Sequence, residues 1–157
     1  LATNDYVEIF CDADNAGTST ASLGEMTITE ILTPLGTNNM AEIGVACSDE
    51  TTDLAALDGI VTFRMPHAMT LTEVRATVTT APTGGNIEVD INQGGTTLMT
   101  TSKLKIDAGQ KTSTTSASPA AITTSALTDD AEITVDLTTA GATIKGNGLK
   151  IWLIGTR

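Results

Sequence analysis

Few side chains in this sequence are of the types that carry catalysis. The 157 residues contain one histidine, His67, and two cysteines, Cys11 and Cys47. A nucleophilic site needs a base held against a nucleophile by a third group. His67 follows Pro66 at a strand start, and we interpret it as an exposed turn residue unless a cysteine or serine folds beside it. One histidine and two widely spaced cysteines are too few for the four ligands of a structural zinc site, so we do not favour that interpretation. For the cysteines, one disulfide and two buried thiols both stay open, and buried thiols are favoured.

Acidic side chains are plentiful, but their spacing completes no known site. Residues 12–17 (DADNAG) resemble the start of a calcium loop, yet the pattern fails at Ala16 and Leu23, where ligand oxygens are required. The pair Asp129 and Asp130 is interpreted as a solvated turn before a strand. No glycine-rich loop precedes a helix as phosphate binding requires, and one Trp, one Tyr and two Phe leave little material for a sugar-binding platform. We therefore predict a protein that is not an enzyme, with no cofactor and no metal.

The charge balance argues against nucleic acid and membranes as partners. Eight basic and 19 acidic side chains give a formal net charge of −11. Nucleic-acid binding requires clustered cations, and here they are scattered apart from Lys103, Lys105 and Lys111. The longest apolar run, residues 149–154, is strand-sized rather than membrane-spanning. If the protein works beside packaged DNA, we expect it to lie outside the shell that encloses the DNA.

Since no initiator Met precedes Leu1, we expect a trimmed, processed or incompletely represented N-terminus.

Alternating side chains predict an all-β fold. Thr is abundant and fits a pleated, half-exposed surface. Strands are predicted at residues 59–65, 70–79, 86–92, 96–100, 103–107, 131–137 and 149–154. Turn signals such as residues 81–85 (APTGG) and 93–95 (QGG) separate them. Short strands with turns between them favour an antiparallel β-sandwich, jelly-roll-like.

Three segments are less regular. Residues 49–57 (DETTDLAAL) are the best helix candidate, and residues 113–126, rich in Ser, Thr and Ala, are predicted as a long irregular connection that is either functional or mobile. Residues 149–154 (LKIWLI) are apolar on both faces except for Lys150. They predict either a central strand covered on both sides or a strand at a subunit contact. The contact residues would be Leu149, Ile151, Trp152 and Ile154.

The first 58 residues are predicted as a part distinct from the sandwich domain at residues 59–157. Strands are expected at residues 6–11 and 25–32 and, less firmly, at residues 41–47, with small polar residues between them. This N-terminal part either adds strands to the sandwich or forms an arm that docks on a neighbouring partner. Both interpretations stay open from the sequence.

Seven short phrases between residues 59 and 157 carry a family resemblance. They are MTLTEVRA (69–76), APTG (81–84), VDIN (89–92), IDAG (106–109), KTS (111–113), DDAEITVD (129–136) and GLK (148–150). In this order and spacing they resemble a β-sandwich domain of structural proteins from tailed bacteriophages. The family has no catalytic motif to carry over, and its members are similar to head-decoration, fibre or tail modules that often form trimers. Residues 1–58 have no counterpart in it.

The resemblance implies a bacteriophage virion structural protein. We expect a decoration or cement protein on the outer surface of the phage head, bound to the major capsid protein or other virion proteins and associated as a homotrimer. The alternative is a head- or tail-fibre module that binds a host receptor through loops such as residues 113–126. A hydrolase acting on host surface polymers is a third, weaker interpretation.

Overall fold

The computed structural model describes residues 18–23, 26–31 and 39–157. The chain divides into two compact units, Leu1–Asn38 and Asn39–Arg157. Of the first unit, an antiparallel hairpin of β1 (Thr18–Leu23) and β2 (Met26–Ile31) is described. Strand β2 falls within the predicted strand at residues 25–32, whereas β1 lies where a polar connection was expected. The predicted strand at residues 6–11, Cys11 and the loop at residues 12–17 lie outside the described residues.

The second unit is all-β. Its strands are β3 (Met40–Ala46), β4 (Leu57–Arg64), β5 (Met69–Thr77), β6 (Ile87–Gln93), β7 (Thr96–Thr97), β8 (Leu104–Ile106), β9 (Ala126–Leu127), β10 (Glu132–Thr139) and β11 (Lys150–Thr156). One 3-10 turn, Ser113–Thr115, is the only helical element among the described residues. The predicted all-β fold class is confirmed.

The strands form two antiparallel sheets. The first has the order β4-β10-β6-β7, with β8 also paired to β6. The second has the order β3-β11-β5-β9. Strand β8 contacts β5 of the other sheet, so the first sheet curls towards the second along that side. The opposite side of the sandwich ends in the terminal strands β3 and β4. This arrangement is consistent with the predicted β-sandwich.

The core is formed by side chains that alternate along each strand, with every second residue pointing inward. Ile87, Val89 and Ile91 of β6 are fully buried, and the intervening Glu88 and Asp90 lie on the outer face. Inward residues of β10 and β11 are equally buried and fill the space between the sheets. These are β-branched and Leu side chains, which stand perpendicular to a pleated surface and pack well there. The alternation predicted for residues 86–92 and 131–137 is confirmed.

The boundary between the two units differs from the predicted one. The predicted sandwich began at residue 59, whereas the compact unit begins at Asn39. The reason is that β3 pairs with β11 in continuous register over seven residues, a contact distant in sequence. The following connection also joins the sandwich, because Leu54 is 4% exposed and its N–H donates to the Gly146 carbonyl at 2.9 Å.

The helix predicted at residues 49–57 was wrong. The Asp49 carboxylate accepts hydrogen bonds from the N–H groups of Thr51 and Thr52 at 2.8 and 2.6 Å, which folds the segment into a turn. The N–H of Leu54 is bound to a distant carbonyl, and β4 already begins at Leu57. These contacts use the backbone donors that a helix needs.

The irregular connection at residues 113–126 is confirmed, and it is tied to the sandwich. The N–H of Ala121 donates to the Ser102 carbonyl at 2.9 Å, and the N–H of Thr123 to the Leu98 carbonyl at 2.8 Å. Ile122 packs against the core. The segment is therefore anchored from both its backbone and its side chains.

Candidate interaction surface

The four predicted contact residues separate onto two faces of β11. Leu149, just before the strand, and Ile151 are 0% exposed and belong to the core, so neither is accessible to another subunit. Trp152 and Ile154 point to the outer face of the second sheet and are partly exposed. The predicted contact therefore reduces to these two side chains.

Trp152, the only tryptophan in the chain, lies between two unequal neighbours. In the register of the sheet it is opposite Gly44 of β3 on one side and Arg75 of β5 on the other. A Cβ atom placed on Gly44 would lie 3.2 Å from Trp152 Nε1. The indole therefore occupies space that a side chain at position 44 would enter, and Trp152 stays partly exposed.

An ion pair borders the indole on its other side. Arg75 donates to both carboxylate oxygens of Glu73, with Nε to Oε1 at 2.6 Å and Nη2 to Oε2 at 2.9 Å. This hydrogen bonding lowers the pKa of Glu73 and raises that of Arg75. Both side chains are about half exposed, so the pair orients the guanidinium more than it stabilises the fold. A shallow depression of about 390 Å³ is lined by Glu42, Arg75, Thr77, Thr112, Thr114, Trp152 and Ile154. We call this the Trp152 face.

The outer face of the first sheet has a different character, because its polar groups satisfy one another. Lys103 and Thr97 both donate to Asp90, whose side chain is only 13% exposed. Asn92 Nδ2 donates to Asp136 Oδ2 at 2.7 Å. Lys105 pairs in the same way with Glu88 at 3.4 Å. Two of the three lysines noted in the sequence are thus neutralised by carboxylates.

His67 and Cys47 do not meet. Cys47 follows β3, at the end of the sheet where Ala46, Lys150 and Thr77 are aligned, whereas His67 precedes β5 at its other end. With about 3.3 Å per residue along β5, the two lie roughly 25 Å apart. Cys47 is 8% exposed, and burial raises the pKa of its thiol to about 11. His67 is partly buried rather than exposed as predicted, and its Nε2 makes no hydrogen bond with the described residues.

The described carboxylates do not converge on a metal site. Asp130 adopts a φ of 55° in the turn before β10, and its carbonyl accepts a hydrogen bond from Arg64 Nη1 at 3.0 Å. This agrees with the interpretation of residues 129–130 as a turn. In the part of the chain that the structure describes, no three His, Cys, Asp or Glu side chains are grouped as metal ligands would be.

Sequence reasoning missed the surroundings of Trp152. The phrase MAEIGVA at residues 40–46 alternates, and this pattern places Glu42 and Gly44 on the face opposite Ile43 and Val45. That alternation could have been recognised. The pairing of β3 with β11, which brings Gly44 under the indole, has no local signal.

No family model, curated protein or solved structure matches this chain. The described residues include no helix with the length and apolar character needed to cross a bilayer.

Proposed function

We propose that this chain is a virion structural protein of a tailed bacteriophage that binds the outer capsid as a decoration or cement protein. The observation that carries the proposal is the Trp152 face, where Trp152 and Ile154 stay partly exposed among polar side chains, on a sandwich whose other outer face pairs its lysines with its own carboxylates. The resemblance of residues 59–157 to phage structural domains supports the same role. Such a surface is suited to binding a protein rather than to a reaction.

The mechanism is passive. Trp152 and Ile154, with Met40 on the same outer face and 66% exposed, would be covered by a neighbouring subunit. Aromatic side chains in such positions commonly dominate binding energy. A subunit that binds only the assembled capsid stabilises that state by mass action. The homotrimer expected from the resemblance would require contacts between two different patches of each copy.

The charge distribution supports a place on the outside of the head. The net charge of −11 repels DNA and anionic lipid. Lys103 and Lys105, the closest approach to a basic cluster, are held by Asp90 and Glu88. Neither nucleic acid nor membrane is therefore included among the partners that we propose.

The experiment compares particles assembled with wild-type protein, with Trp152→Lys, with the control Thr62→Lys, and without the protein. Thr62 is an exposed residue of the first sheet, so its substitution changes charge equally on a different face. We expect Trp152→Lys to reduce occupancy at least about tenfold, as loss of an interface hot spot does, and to lower the temperature at which particles release DNA. The control keeps both. Equal heat and pressure resistance of particles with and without the protein would overturn the cement role.

The alternative of a receptor-binding fibre module depends on the loop at residues 113–126. Its anchoring through Ala121 and Thr123 is compatible with a preformed recognition loop. Copy number separates the two roles, because a decoration protein scales with the number of capsid subunits and a fibre module with the number of fibres.

A further inference from the structure

The terminal strand β3 carries a row of backbone groups that no described residue pairs with. The N–H of Cys47 donates to the Leu149 carbonyl at 2.8 Å, and the Asn39 carbonyl accepts from the N–H of Arg157 at 2.9 Å. Odd-numbered positions of β3 therefore face β11, since an antiparallel ladder alternates. The N–H and C=O groups pointing to the free edge belong to Met40, Glu42, Gly44 and Ala46.

The other terminal strand, β4, is protected against strand addition. Its pairing with β10 shifts register between Val135 and Leu137. Gly59 adopts a φ of 67°, and its N–H is taken by Asp136 Oδ1 at 2.6 Å. Bulges and charges of this kind are how proteins block sheet edges. Strand β3 has no register shift, no proline and no lysine, so among the described strands it is the open edge.

Apolar side chains are left partly exposed along the same side of the sandwich. Ile43 and Val45 of β3 point inward but are incompletely buried. Val61 and Phe63 of β4 are in the same position, whereas the inward apolar residues of the adjacent strands β10 and β11 are at most 1% exposed. A cavity of about 280 Å³ at one end is lined by the start of β4 and the 47–55 connection. Leu57, at its mouth, is 61% exposed.

The rim of this side is acidic. Glu42 lies on β3, Asp49 and Asp53 line the cavity, and Asp58 lies at the start of β4; all four are exposed. Of the cations near this side, Lys150 is bound to Glu50 and Arg75 to Glu73, while Lys145 is exposed beside Gly146, so the rim keeps an acidic excess. An occupant with basic flanks is therefore favoured by complementarity, and a second copy of this acidic chain is not.

We propose that β3 binds, by strand addition, an extended segment of another protein that has alternating apolar residues and Lys or Arg at its flanks. Backbone groups of that segment pair with the four free positions of β3, and its inward side chains cover Ile43, Val45 and Phe63. Main-chain bonds supply affinity and the apolar and acidic contacts supply selectivity. This inference does not depend on a role in the virion.

The experiment uses the full chain and three fluorescein-labelled heptapeptides, KITVTVK, EITVTVE and KIPVTVK, in anisotropy titrations at low salt. We expect binding of KITVTVK, at least tenfold weaker binding of EITVTVE and none of KIPVTVK. In an antiparallel pair the peptide threonines, whose side chains share the outer face with Glu42 and Gly44, carry the N–H groups that face β3, so proline at the third position removes a ladder donor. In Ala46→Pro the lost N–H is one that faces the free edge, so the fold is kept and peptide affinity falls at least tenfold. The matched Val45→Pro removes an N–H that faces β11, and we expect it to lower the melting temperature.

A second variant, Glu42→Lys, keeps every backbone group and reverses one rim charge. We expect it to weaken KITVTVK and strengthen EITVTVE. Equal affinity of wild-type protein for all three peptides, or unchanged affinity in Ala46→Pro, would overturn the proposal. A wild-type dimer in sedimentation that Ala46→Pro converts to monomer would assign the edge to a second copy and overturn it as well.

Discussion

Strand β11 has an isoleucine on each of its two faces, so the effect of the same Ile→Thr substitution can be compared between the core face and the outer face. Ile151 is 0% exposed, while Ile154, three positions later, is partly exposed on the Trp152 face. Replacing Ile151 with Thr removes two apolar carbons, at about 0.8 kcal/mol each, and buries a hydroxyl, at about 1–3 kcal/mol more. We expect Ile151→Thr to lower the free energy of unfolding by about 3–4 kcal/mol. Ile154→Thr should lower it by less than about 1 kcal/mol, because a surface hydroxyl stays hydrated.

Urea unfolding of both variants, followed by the fluorescence of the single tryptophan, measures this difference. The midpoint should fall sharply for Ile151→Thr and slightly for Ile154→Thr, with the denaturant slope unchanged in both. The affinity for a partner or for another copy should change in the reverse order. Under conditions where both variants are folded, Ile154→Thr should weaken association more than Ile151→Thr. Equal losses of stability in the two variants would refute the assignment of faces on β11.

Three further outcomes follow from single positions. Gly148→Ala should destabilise the protein, because φ is 69° and a Cβ would collide with Thr79 Oγ1; an unchanged melting temperature would contradict this. Hydrogen bonds from backbone N–H groups lower the pKa of Asp49 to about 2 from its ordinary value of 3.8, so its contribution to stability is present above pH 3.8 and is lost as pH falls towards 2. Wild type should therefore lose more stability than Asp49→Asn over that window in acid titrations, and parallel curves would count against the turn. The Cys47 thiol, with its pKa raised to about 11, should resist iodoacetamide at pH 8 until the protein unfolds, as peptide mapping can show; rapid labelling of folded protein would be inconsistent with its burial.

The sequence predicts the local part of the fold well. Residues 86–92 and 131–137 alternate because β6 and β10 each have one face on the core, and this period is visible without a structure. The connection at residues 49–57 was mistaken for a helix because its acidic start and spaced leucines imitate a capped helix. Its turn depends on Asp49 and on a bond to Gly146, and the latter is a long-range contact.

The interaction surface was only partly predictable. An apolar segment such as residues 149–154 indicates a covered strand, but its pattern does not distinguish the core face from the outer one. That distinction depends on strand order, which places β11 between β3 and β5. The open edge of β3 has the same origin, because the position of a strand in a sheet is set by pairings between distant segments.

The proposed virion role is tested most directly by a reconstruction of phage particles assembled with this chain. The account predicts density for the sandwich on the outer surface of the head, at a copy number that scales with the capsid subunits, with Trp152 and Ile154 against a neighbouring subunit. Density confined to fibres or the tail, or a head-bound sandwich whose Trp152 face is open to solvent, would contradict it.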